Sequence, residues 1–273
     1  MVLESIISPL TAEKKPWELF FLGMLYASFA TALSLWIFEE YAGLLSVFLT
    51  VIACIPLVIN TLKLEESKDL LIDKEKTLLK EHSKAIVAFM MLFLGITISY
   101  VIWYVFLPHE MSSDLFRIQT NTIFALNAQA TSTDLFTKIL FNNLKVLTFC
   151  ILFSLFYGAG AIFVLTWNAS VIATAMGAFI KNNLASSSSV FSAHVSSFGL
   201  SMVRYFTHGI PEIVAYFVAA LAGGIISVAI VKKDYRTENL YKIMLDVSNL
   251  IIISVVILII AAAIETYITP LLI

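Results

Sequence analysis

Charge is what this chain has least of. Only 13% of its 273 residues are Asp, Glu, Lys or Arg, about half the share of an ordinary soluble domain. The net charge is −2 and there is no basic tract, which argues against nucleic acid as a partner. Cysteine is also scarce. Cys54 and Cys150 each lie inside an apolar run without a CxxC neighbour, so they read as packing residues, with no disulfide framework or redox motif. HExxH, GxSxG and Walker sequences do not occur, and this removes the common hydrolase and nucleotide-binding signatures.

What fills the chain instead is apolar sequence: 60% of residues are hydrophobic and mean hydropathy is +0.93. These residues fall into long blocks, which mark an all-α polytopic membrane protein in a lipid bilayer. Six segments are long enough to cross: 17–38, 41–62, 85–107, 144–167, 208–231 and 248–271. The first follows Lys14 and Lys15 but exceeds a signal-peptide core, so it is expected to be retained. Residues 63–84 carry six lysines, and Leu64, Leu71 and Leu78 recur at heptad spacing. This predicts a charged helix with one apolar stripe, docked on a partner helix, lying on the membrane surface, or a solvated continuation of its neighbours.

Lysine-rich segments favour the cytoplasmic face, which predicts a cytoplasmic N-terminus and places 63–84 on the same side. The stretch 108–143 then becomes an external loop with room for a short helix. Keeping the next basic loop, 232–242, inside requires one more crossing. The candidate is 168–180, only about 20 Å long as a helix, and either a short span or a re-entrant segment. The expected total is seven crossings with the C-terminus outside the cytoplasm, and the Ser-rich stretch 185–201 reads as a loop. In domain terms, 1–107 holds three spans and the charged helix, 108–143 the external loop, and 144–273 the remaining membrane domain.

The segment beginning at His208 carries ionisable groups at the mouth of an apolar run. His208 and Glu212, four residues apart, share a helix face. Ala215, Ala219 and Gly223 continue that face as a small-residue stripe for helix packing, and Gly158 is a further packing candidate. Pro211 fits a first helical turn. Antiparallel succession brings Glu265, near the end of the last span, to the same membrane side. Asn142 and Asn143, at the start of the fourth span, join them in one expected polar cluster, while Asn168 is a candidate helix cap or break. A metal at this cluster has a thin ligand set, and no metal or cofactor is expected.

These residues resemble the stage II sporulation protein M family of integral membrane proteins. The matching positions are Asn142 and Asn143; Gly158, Gly160 and Asn168; His208, Gly209, Glu212 and Ala215; then Ala262, Glu265, Thr269 and Pro270. They span roughly 140–273, and residues 1–107 fall outside them. Ala169 stands where the family usually has glycine. The resemblance implies a membrane scaffold, similar to the name-giving member that holds cell-wall hydrolases together during engulfment.

The leading expectation is therefore a non-enzymatic scaffold in the cell membrane that organises membrane or envelope proteins. A homo-oligomer is compatible with it. A transporter or channel lined by the His/Glu cluster is the alternative, and an intramembrane metal-dependent enzyme is the third reading.

Overall fold

The computed structural model describes residues 6–38, 41–72, 74–128, 135–157, 159–185, 190–232 and 237–269. Among these, every regular element is helical: α1 (Pro9–Lys14), α2 (Pro16–Phe38), α3 (Ala42–Leu71), α4 (Glu75–Phe106), α5 (His109–Leu115), α6 (Arg117–Ala128), α7 (Leu135–Tyr157), α8 (Ala161–Ala185), α9 (Val190–Val231) and α10 (Thr237–Ala263). A π-turn, Ile264–Ile268, extends α10. Seven helices (α2, α3, α4, α7, α8, α9 and α10) are long and apolar enough to cross a membrane. The protein is an all-α polytopic membrane protein, as composition predicts.

The apolar run after Asn143 divides differently from expectation. The break falls at 159–160, within the expected fourth span, and leaves α7 and α8 as helices of 23 and 25 residues. The segment 168–180 is thus the middle of a full-length crossing candidate, Ala161–Asn182. Hydropathy does not mark this turn because no charge interrupts the run; the local cue is Gly158–Gly160, of which Gly158 lies outside the described residues.

Two other boundaries also shift. The lysine-rich segment is not one helix. It is the end of α3 and the start of α4, separated at 72–74, where Ile72 turns extended (φ −109°, ψ 110°). That turn destroys the heptad stripe: Leu78 is buried while Leu71 is 81% exposed. Further on, most of the Ser-rich stretch is helical. Helix α9 runs for 42 residues from Val190 and carries Pro211 in its interior, not its first turn. A proline there forgoes one i→i−4 hydrogen bond.

Close packing relies on small residues. Helices α2 and α4 meet at a reciprocal pair: Gly23 lies on the Leu92 and Ile96 backbone, and Gly95 lies on Phe20 and Met24. Near the other face, a Cβ at Gly223 of α9 would come within 2.6 Å of the Ile151 carbonyl oxygen of α7. Such crossings are how helices associate in lipid, where apolar area gives little net drive. They gather the ends of α3, α4, α9 and α10 at one lysine-rich end of the bundle, with α1 beside them. The expected 108–143 loop contains α5, α6 and the first residues of α7. Ser112, Leu115, Phe116 and Gln119 are buried, so this segment packs into the bundle.

Candidate functional site

The sequence-predicted polar residues lie at the end opposite the lysines. Parallel packing of α7 and α9 sets Asn143 near the depth of Glu212, and the π-turn at the end of α10 returns Glu265 to that level. Glu212 Oε1 accepts a 2.6 Å hydrogen bond from Tyr216 Oη, one turn further along α9. The π-turn that carries Glu265 packs against α9, which carries Glu212. Asn143 is 5% exposed and its Nδ2 makes no hydrogen bond, whereas Asn142 is exposed. Stacked rings of Phe136 and Tyr267, with centroids 6.4 Å apart, tie the start of α7 to the π-turn. Single π-turns widen a helix by one residue and often occur at functional sites.

The position of His208 is helical, one turn before Glu212, but its side chain lies outside the described residues. Tyr216, not selected from sequence, is the group that meets Glu212. Ala215 and Ala219 are fully buried, and Gly223 meets α7 as described above. Asn168 neither caps nor breaks a helix. It sits inside α8 and donates from Nδ2 to the Val164 carbonyl at 2.8 Å. The helix break falls at the preceding glycine-bearing turn instead, so the amide has only its own helix backbone to satisfy.

The lysine-rich end holds a second, denser cluster that sequence reading passed over. Helix α3 contributes Glu65, Lys68 and Asp69, α4 contributes His82, α10 contributes Asp246, and α1 contributes Glu13. His82 is 1% exposed. Its Nδ1 lies 2.7 Å from Glu65 Oε2, and its Nε2 lies 3.2 Å from Asp246 Oδ2 and 3.0 Å from Asp69 Oδ1. Asp69 Oδ1 thus has the His82 ring as an ion-pair partner, while Asp69 Oδ2 is without a hydrogen bond. Lys68 Nζ reaches Glu65 at 2.7 Å and Glu13 at 2.8 Å. A neighbouring pair joins Lys232, just after α9, to Glu66 of α3.

Burial pushes the Glu13 carboxyl up to about 6, helped by its hydrogen bond to Glu65 and opposed by Lys68. Asp69 and Asp246 line a cavity of about 310 Å³ whose other polar residues are Glu75, Lys242 and Asn249. Asn249 Nδ2 donates to Glu75 Oε1 at 2.7 Å across it. One donor atom each from Asp69, His82 and Asp246 lie within 4.8 Å of one another, a spacing that can hold a metal ion.

A signal for this cluster existed in the sequence. Glu65 and Asp69 are four residues apart, so they share a face of α3. Asp246 is an isolated acid at the head of an apolar span, a position that marks a functional candidate in membrane helices. Their meeting with His82 depends on the turn at 72–74, where "LLIDKEK" offers neither glycine nor proline as a cue.

A family model described as Stage II sporulation protein M matches residues 85–270. The match begins within α4 and so extends further toward the N-terminus than the motifs at 140–273. No curated protein and no solved structure matches the chain.

Proposed function

Because this chain belongs to the stage II sporulation protein M family, we propose that it is a non-enzymatic scaffold that holds protein partners in the cell membrane. The lysine-rich end faces the cytoplasm in this proposal, following the positive-inside tendency. The observation that carries the reading is an apolar groove of about 360 Å³ between α2 and α3, lined by Leu25, Tyr26, Phe29, Leu33, Leu49 and Ile52. Leu25, Phe29 and Ile52 are each more than half exposed. In a bilayer, such a groove receives lipid or another helix. In contrast, the void lined by Val58, Phe89, Leu165 and Phe217 inside the bundle measures about 20 Å³ and is almost wholly apolar, room for about one water at most.

Photo-crosslinking in native membranes tests this reading. A photoreactive residue at Phe29 or Ile52 is expected to capture a discrete membrane protein, whereas one on the buried face at Leu92 is not. Absence of any protein adduct along the groove would remove the scaffold proposal.

The transporter reading rests on a separate observation, two acids, Glu212 and Glu265, carried by contacting elements within helices apolar enough to span. Intramembrane acids often mark ion pathways. Proton or cation flux into proteoliposomes, abolished by Glu212→Gln, would favour it over scaffolding.

A further inference from the structure

Three side chains from three helices converge beneath the turn between α3 and α4. His82 Nε2 lies 3.0 Å from Asp69 Oδ1 and 3.2 Å from Asp246 Oδ2. In a tetrahedral ion site with bonds of about 2.0–2.1 Å, ligand atoms are about 3.3 Å apart. The histidine–carboxylate distances are close to that separation. Imidazole with two carboxylates is a donor set that Zn²⁺ and neighbouring first-row ions accept.

The surroundings supply what such a site needs. A metal-bound histidine commonly donates its other ring N–H to a carboxylate, which fixes ring orientation and tautomer. Here Glu65 stands 2.7 Å from Nδ1, with Lys68 behind it at 2.7 Å. Independently of the acidic clustering, Asp69 is 3% exposed with Oδ2 lacking a hydrogen bond while Oδ1 meets the His82 ring at 3.0 Å, and Asp246 is 5% exposed with Oδ1 lacking a hydrogen bond. A buried carboxylate that stays ionised is stabilised by a cation beside it. Among the described residues, Glu13, Glu65, Asp69 and Asp246 are four carboxylates gathered around Lys68 and His82, with Lys242 and Glu75 also bordering the cavity. Both aspartates border the 310 Å³ cavity, which leaves an approach for an ion and a fourth position for water.

We propose that Asp69, His82 and Asp246 bind a divalent first-row transition metal ion, Zn²⁺ or a close relative, with its open coordination position toward the cavity. The site stitches the α3–α4 hairpin to α10. Asp69 and His82 precede the family-matched region whereas Asp246 lies within it, so the ion would clamp the N-terminal helices onto the family domain. It is independent of the scaffold reading: the ion can bind whether or not the α2–α3 groove holds a partner.

The test uses the full-length, tag-free protein in detergent or nanodiscs, stripped with chelator. Zn²⁺ is titrated against a chromophoric competitor, and Co²⁺ is followed by its visible d–d absorption. The expected result is one saturable equivalent of Zn²⁺, and Co²⁺ bands that excess Zn²⁺ abolishes. Asp69→Asn, His82→Gln and Asp246→Asn each lower affinity at least about tenfold, and Glu65→Gln lowers it by about 10- to 100-fold. Glu110→Gln, an exposed acid in α5, leaves it unchanged.

No saturable Zn²⁺ or Co²⁺ binding by folded wild-type protein overturns the proposal, and so does unchanged affinity in the three ligand variants. Binding of Mg²⁺ or Ca²⁺ with none of Zn²⁺ or Co²⁺ overturns the transition-metal assignment. The wild-type measurements stand without any variant, so a variant that misfolds does not blunt the test.

Discussion

His82 and Glu65 stand 17 residues apart in the chain and 2.7 Å apart in space, Nδ1 to Oε2, both essentially sealed from solvent. The imidazole meets Glu65, Asp69 and Asp246 together. Removing it leaves buried carboxylates without their shared partner, a change that typically costs about 3–5 kcal/mol. His82→Leu is expected to lower the thermal midpoint in detergent strongly, and His82→Gln, which keeps one hydrogen-bonding amide, to lower it less. Equal and small shifts for both would show that the cluster does not hold the helices together.

At the opposite end, Tyr216 donates to Glu212. Glu212→Leu strands the tyrosine hydroxyl, with an expected loss of about 1–3 kcal/mol. Glu212→Gln retains an acceptor and is expected to lose clearly less. Chemical unfolding of both variants in the same detergent decides between this clasp and a mere surface carboxylate, for which the two would match.

The crossing of α2 and α4 is set by backbone proximity. A Cβ at Gly95 would press on the Phe20 carbonyl and reach 3.1 Å from Met24 N, whereas one at Gly199 of α9 meets nothing within 4 Å. Gly95→Val is therefore expected to destabilise by about 1–3 kcal/mol through overpacking. Gly199→Ala is expected to be neutral or to stabilise by up to about 1 kcal/mol, since alanine is the better helix former. Thermal midpoints of the two variants, measured together, check the contrast.

Glu13 carries a pH dependence of predictable sign. Its carboxyl is raised from 4.5 to about 6, chiefly by burial. The folded state then holds its proton more tightly than the unfolded chain does. Its contribution to stability is complete below pH 4.5 and declines as pH rises through about 6. The midpoint of wild-type protein is expected to fall between pH 4.5 and 6.5 by more than that of Glu13→Gln. Parallel curves for the two proteins would remove Glu13 as the titrating group.

Orientation can be read with single cysteines at exposed positions of the two ends, Lys76 in α4 and Glu110 in α5. The native thiols Cys54 and Cys150 are buried and compete little. A membrane-impermeant maleimide added to intact cells is expected to label position 110 directly and position 76 only after permeabilisation. The reverse pattern would invert the proposed topology.

Periodicity and block length made the helices visible but not their joints. The hydrophobic run from 144 to 180 reads as one long span and a remnant, because hydropathy has no term for a turn inside apolar sequence. The chain turns at 159–160 and makes two full helices. The same weakness hid the turn at 72–74, since charged residues on both sides of it suit a helix. Pro211 misled in the other direction. Proline usually marks a boundary, yet α9 continues through it, and the surrounding bundle holds the helix despite one missing hydrogen bond.

The polar residues divide along the same line. Glu212 and Glu265 were legible because isolated acids in apolar sequence stand out, and antiparallel succession of the last two spans brings their depths together. Tyr216 was not, because an aromatic inside a span looks like packing until its hydroxyl is seen against a carboxylate.

From residue order alone came the membrane class, most of the helices long and apolar enough to cross, and the family, since each follows from local composition or short motifs. The meeting of Asp69, His82 and Asp246 belongs to the three-dimensional packing. His82 and Asp246 are separated by 164 positions, and no local preference encodes that approach. Only the packing of α4 and α10 against α3 brings the imidazole and the two carboxylates into one buried site.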